Sequence, residues 1–224
     1  MRTNRPSEFS ELDGLPHTTD SPAAVNALQA ALDQCPAPGE PPEANPWHSV
    51  LYTRLRDEAL PALIADGTIT PAASLWTGSR LWTQTFRAAG LHAGDRLIIA
   101  LPPSTAFVQV LVAALWEGVT VALASPDDDI EALLTTLDAR AVVTTRSAPH
   151  AWVSKKYAGP CSTPDSLRTP TTERTPDVRF LLRTSGTTSL ARWVALSDRN
   201  VLSVLTSHLP HFSLQNARVL SVLP

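Results

Sequence analysis

Three short apolar runs, Leu97–Leu101 (LIIAL), Val119–Leu123 (VTVAL) and Ala141–Thr145 (AVVTT), are separated by segments with helical spacing of apolar residues. No other feature narrows the fold as much. An apolar run of about five residues without polar alternation suits a strand covered on both faces. A helix between successive strands lets them lie parallel through a crossover connection. The pattern predicts an α/β fold: a layered, mainly parallel sheet flanked by helices. Val178–Leu182, Trp193–Leu196 and Arg218–Leu223 read as further strands, and Pro224 directly follows the last of them. Domains seldom stop on a buried strand, so the expectation is the N-terminal part of a larger domain.

Local punctuation places the remaining elements. Asn45-Pro46 starts a helix whose Trp47, Leu51 and Leu55 recur at every fourth position. Ala62–Ile69 reads as two short strands around Asp66-Gly67, a good hairpin turn. Thr70-Pro71 caps a helix running to Ala89, with Leu75, Trp82, Phe86 and Ala89 on one face, and Gly90 stops it. Pro102-Pro103-Ser104 caps a helix over Thr105–Trp116 that ends at Gly118. Ser125-Pro126 opens a helix to Leu137, and another runs from Arg199 to Leu209. Trp82, Phe86 and Trp116 are expected in the core. Residues 147–176, rich in Pro, Thr and Ser, read as a long surface connection. Residues 1–45 read as a leader holding one short helix, capped by Ser21 and started by Pro22, with Val25, Leu28 and Leu32 on one face. The main domain is then 46–224.

Charge and cysteine usage exclude some classes. The net charge is −3 with no basic cluster, which argues against nucleic acid or an anionic membrane as partner. The most apolar stretch, Phe107–Trp116, is far short of the roughly 20 residues that span a bilayer. The N-terminal MRTNRPSEFSELDG has no apolar signal core, so a cytoplasmic location is expected. Cys35 and Cys161 follow no CxxC pattern and read as two free thiols, with one disulfide as the alternative.

The densest chemistry lies in RTSGTTSLARWVALSDRN, Arg183–Asn200. A phosphate-binding loop needs backbone N–H groups and hydroxyls aimed inward, a glycine where the chain bends, and a cation. Thr184, Ser185, Gly186, Thr187 and Thr188 supply the donors and the hinge, and Arg192 supplies the charge. On these grounds alone the stretch is either such a loop or an ordinary polar turn between strands. No Walker A pattern, nucleophile elbow or dinucleotide fingerprint occurs in the chain. Asp127-Asp128-Asp129 reads either as a metal cluster or as acids meeting a helix dipole, and His208 with His211 as a metal pair or as surface histidines.

Arg183–Asn200 resembles the phosphate-binding signature of the adenylate-forming superfamily, which includes acyl- and aryl-CoA synthetases, nonribosomal-peptide adenylation domains and luciferases. Thr184 through Thr188 match that signature residue by residue, and Val194, Leu196, Ser197, Arg199 and Asn200 match in register without a gap. Leu75–Leu101 and Phe107–Leu123 resemble the family's first helix–turn–strand and its following helix–strand, in the same order. The chain departs from the signature at Ser189 (usually Gly), Ala191 (Pro), Arg192 (Lys), Trp193 (Gly or aliphatic) and Asp198 (His). Ala191 leaves the loop less rigid, and the planar fork of Arg192 meets phosphate differently from an ammonium. Asp198 is expected to bring negative charge near the phosphate site.

The resemblance implies a ligase that activates a carboxylic acid with ATP and Mg²⁺ to an acyl-adenylate. Thr184, Ser185, Gly186, Thr187, Thr188 and Arg192 would hold the triphosphate. The family's later motifs for adenine, ribose and acid, and its catalytic lysine, do not occur here. The chain is therefore expected to be inactive alone, with a complementary C-terminal chain as a candidate partner. The alternative is a non-catalytic remnant or scaffold.

Overall fold

In the computed structural model the described residues are 22–33, 45–55, 61–65, 67–154, 160–162, 164–174, 177–184 and 192–208. The expected strand at 218–223, the Ser21 cap, Cys35 and His211 lie outside them.

The centre is the predicted alternation of strands and helices. Strands β3 (Arg96–Ala100), β4 (Thr120–Leu123) and β5 (Ala141–Thr144) pair in parallel, with β3 between the other two. Helix α4 (Thr105–Glu117) links β3 to β4, and α5 (Ile130–Thr136) links β4 to β5. Ile99, Val121 and Val143 pack toward α4 and toward α3 (Ala72–Ala88). Ile98, Ala122 and Val142 pack toward α5. All six are fully buried, as strands covered on both faces must be. The helices end where the sequence marks them. The Ser104 hydroxyl accepts from the Phe107 N–H at 3.2 Å, and Gly118 closes α4 at φ 72°. A Cβ on Gly118 would meet the Ala93 Cβ at 3.1 Å, so the position needs glycine for space as well as conformation.

The full sheet runs β7-β6-β5-β3-β4-β8-β9. Strand β6 (Ala151–Ser154) continues the parallel set beside β5, and β7 (Pro160–Ser162) is antiparallel to it. Strand β8 (Val178–Arg183) lies parallel to β4, and β9 (Trp193–Ser197) returns antiparallel along β8. A small hairpin of β1 (Pro61–Ala65) and β2 (Thr68–Pro71) stands apart from this sheet. Helices α1 (Pro22–Asp33), α2 (Trp47–Leu55) and α6 (Asp198–His208) gather Ala31, Trp47, Leu115 and Leu202 into one cluster. Ala31, within the segment read as a leader, is fully buried in it. Asn45 joins α2 to α4: its amide donates to the Leu115 and Trp116 carbonyls, and its Oδ1 accepts from the Trp47 N–H.

Three expectations change. The 147–176 connection contains β6 and β7, because the short AWVS run finds the exposed edge of β5 and buries Trp152 completely. Beyond β7, residues 164–174 run beneath the amino ends of β5 and β3 as a pinned strap. Asp138 accepts from Arg168, from the Thr171 and Thr172 N–H groups and from the Thr172 hydroxyl, and Asp95 pairs with Arg140 and Arg174. Burial pushes the Asp138 carboxyl up, but these donors together outweigh it and hold the group well below the usual carboxylate range. The second change is at α5, which starts at Ile130 rather than at Pro126. Asp129 caps it by accepting from the Ala132 N–H, while Ser125 and Asp128 bond into a turn ahead of it. Finally, Trp116 is only half-buried, its ring 4.2 Å from His48 and 4.8 Å from Trp76.

Candidate functional site: the mouth of the β8–β9 hairpin

Strand β8 is carried to the carboxyl edge of the parallel sheet by β4, with Val121 opposite Phe180 and Ala122 opposite Leu181. The Thr120 hydroxyl adds a 2.6 Å bond to the Val178 carbonyl. In α/β sheets of this kind ligands dock outside the carboxyl ends of the strands. There the turn after β3 (Pro102–Ser104), the turn after β4 (Ser125–Asp128) and the end of β8 all emerge.

The hairpin closes at Thr184 and Arg192. The Thr184 N–H donates to the Arg192 carbonyl at 2.8 Å. The Thr184 hydroxyl donates to that carbonyl and accepts from the Arg192 N–H, both at 3.2 Å. Of the candidate residues, the structure brings these two together. Ser185, Gly186, Thr187 and Thr188 lie outside the described residues. Both Thr184 and Arg192 are exposed, and no ion pair joins the Arg192 guanidinium among the described residues.

A second cation stands at the same mouth. Arg183, directly opposite Trp193, donates to Asp128 Oδ1 at 3.1 Å. Asp128 Oδ2 also accepts from the Ser125 N–H at 2.9 Å, which holds the carboxylate in its turn. From the sequence, the strand ends at Leu182 with Arg183 opening the loop, and Asp128 belongs to an acidic run read either as a metal cluster or as helix-dipole partners. Nothing local connects residues 55 apart; the pair exists because β4 and β8 are parallel neighbours and their following turns share an edge.

The expectation for Asp198 is overturned. Ser197 pairs with Val178 at the opposite end of the hairpin, so Asp198 lies about 20 Å along the strand from Arg192. It is buried, and Arg179 donates to both its oxygens at 2.7 Å, one from Nε and one from Nη2. The Trp47 indole N–H donates to it as well. Its charge is met at the hairpin base and does not oppose an anion at the mouth. Asn200 finishes that corner, its Oδ1 accepting from the Ser197 N–H and hydroxyl.

A family model described as AMP-binding enzyme matches residues 56–224. The chain belongs to the AMP-binding enzyme family. Solved structures share the fold of this chain. O-succinylbenzoate coenzyme A synthetase (MenE) from Bacillus subtilis, in complex with AMP, aligns with a TM-score of 0.55 at 19% identity, over 71% of this chain and 45% of that one. A benzoate CoA ligase from Burkholderia xenovorans LB400 aligns at 0.52 and 17% identity, over 73% and 36%. The AMPPNP-bound nonribosomal peptide synthetase FmoA3 aligns at 0.60 and 15% identity, over 84% and 21%. The chain thus spans less than half the length of each of these structures. No curated protein sequence matches it. Its architecture is the layered, mostly parallel α/β domain of adenylate-forming enzymes. No described helix is long and apolar enough to cross a membrane.

Proposed function

We propose that this chain supplies the polyphosphate grip of an AMP-forming ligase that activates a carboxylic acid with ATP, working in the cytoplasm. The main support is the hairpin mouth. Thr184 and Arg192 close it at the carboxyl edge of the sheet, and both lie within the Arg183–Asn200 stretch that resembles the family signature. Thr184, Ser185, Gly186, Thr187, Thr188 and Arg192 are the proposed phosphate contacts. Two of the structural relatives carry acid–CoA ligase names, and one of these was solved with AMP.

In such a reaction a carboxylate oxygen attacks the α-phosphorus and pyrophosphate leaves. The barrier falls when charge on the leaving group is met by fixed donors and cations. This chain's hydroxyls, N–H groups and Arg192 would hold the β- and γ-phosphates and so orient the leaving group in line. Mg²⁺, when bound, would neutralise phosphate charge. Among the described residues no group of three or more His, Cys, Asp or Glu could hold a metal, which suits a cation whose ligands come largely from phosphate oxygens. Adenine and acid would be bound by groups beyond these, in the same polypeptide or in a complementary chain. The replacements at Ala191, Arg192 and Trp193 favour a second reading, a scaffold that keeps the fold without turnover.

Pyrophosphate titration of the purified chain tests the grip. Arg192→Ala and Gly186→Val are expected to weaken binding; unchanged affinity in both rejects the site. The 224-residue chain alone is expected to show no carboxylate-dependent ATP–pyrophosphate exchange. Detectable exchange would mean that it carries a complete active site.

A further inference from the structure

Two Arg–Asp pairs anchor the same hairpin, and they are built differently. At the base, Arg179 and Asp198 share two bonds of 2.7 Å, with side chains only 2% and 7% exposed. At the mouth, Arg183 reaches Asp128 through one nitrogen at 3.1 Å, with side chains 49% and 22% exposed. The base pair is closed on itself. The mouth pair is half in water and uses one of the five N–H donors of the guanidinium.

From this contrast, and resting on the phosphate-grip reading above, we propose that Arg183 is a second anion-binding cation of the hairpin mouth. It rests on Asp128 and transfers to the polyphosphate when one docks.

An exposed, single-contact ion pair contributes little to stability, so little opposes the transfer. A phosphate offers the guanidinium two parallel charge-assisted bonds, which Asp128 does not provide here. Asp128 is not stranded when Arg183 leaves, because the Ser125 N–H still donates to it and solvent reaches it. Arg183 and Arg192 also flank the same Thr184–Arg192 closure. A di- or triphosphate carries enough charge to engage both, whereas a monophosphate is satisfied by one. The pair therefore favours pyrophosphate and nucleoside triphosphates over monophosphate anions.

The two partners should respond with opposite signs. The test is calorimetric titration of the full chain and its variants with inorganic pyrophosphate, and with inorganic phosphate as the monophosphate control. Circular dichroism confirms that each variant is folded. Asp128→Asn, which keeps an acceptor for the Ser125 N–H, is expected to tighten pyrophosphate binding about two- to fivefold by releasing Arg183. Arg183→Gln is expected to weaken it about tenfold while changing phosphate binding little. The double variant should match Arg183→Gln alone, and Arg183→Lys should recover part of the affinity. If both single variants shift binding in the same direction, or neither shifts it, the pair is only structural and the transfer is rejected. The arms separate this failure from that of the underlying site. Binding that depends on Arg192 but ignores Arg183 and Asp128 overturns the transfer alone, whereas binding indifferent to Arg192 overturns the grip as well.

Discussion

The central strands and the β8–β9 hairpin belong to one sheet but are held by different physics. In β3, β4 and β5 nearly every side chain is buried, and helices α4 and α5 are capped within their own first turns. In β9 no residue is fully buried, and Val194 is 42% exposed. Phe180, Leu181 and Trp193 pack only in part against the core, and charged side chains tie down the hairpin's two ends, Arg179–Asp198 at the base and Arg183–Asp128 at the mouth. Apolar burial is forgiving of detail and makes a stable platform. Ion pairs are specific and, where exposed, exchangeable. The molecule places the first beneath the site and the second at its rim.

The sharpest way to break this comparison is at the hairpin base. Asp198→Ala leaves the Arg179 guanidinium buried without its partner and should lower stability by about 3–5 kcal/mol, read from urea unfolding of the purified chain. A double replacement, Arg179→Met with Asp198→Leu, should recover most of that loss. If it does not, the pair contributes more than mutual neutralisation.

In the platform, Ile98→Ala removes a fully buried side chain and should cost about 2–5 kcal/mol through lost burial and a cavity. A smaller loss than at Asp198 would sharpen the view that the hairpin hangs on its charges. A larger one would shift weight to the sheet.

The strap offers an acid test. The Asp138 carboxyl is depressed in the folded chain, so its contribution is fully present above the unfolded-state value of about 4 and is lost as pH falls below it. Unfolding midpoints measured from pH 7 downward should fall steeply below about pH 4, and the slope should flatten in Asp138→Asn.

Smaller effects complete the series. Ser104→Ala should cost about 1 kcal/mol by removing the cap of α4. Asp128→Asn should change stability by less than about 1 kcal/mol, because the pair it breaks is exposed. An appreciably larger loss would mean that the mouth pair is a structural tie like the one at the base.

Most of the platform could be read from the chain alone, because its signals are local. LIIAL, VTVAL and AVVTT have the length and composition of doubly covered strands, and Ser104, Gly90 and Gly118 mark helix ends through contacts within a few residues. The expectations failed where a short segment took its structure from a distant one, or where local side chains offered the backbone a competing turn. AWVS is too brief to declare itself a strand, yet the open edge of β5 makes it one. Ser125-Pro126 has helix-opening chemistry, but the acids after it bond into a turn and move the start to Ile130.

The candidate site divides in the same way. The order of residues from Thr184 to Arg192 can be read directly, and so can the resemblance it carries. The sequence by itself determined the central strands β3, β4 and β5, the helices between them, and that these strands would lie parallel. Period, caps and loop chemistry are all written within a few residues of where they act. Only the tertiary structure decided which charges answer one another. Asp198 meets Arg179 and, across 151 positions, Trp47 at the hairpin base, away from the loop it was expected to oppose. Arg183 meets Asp128 because β4 lies beside β8. Charge neutralisation depends on distance in space, and strand order sets that distance.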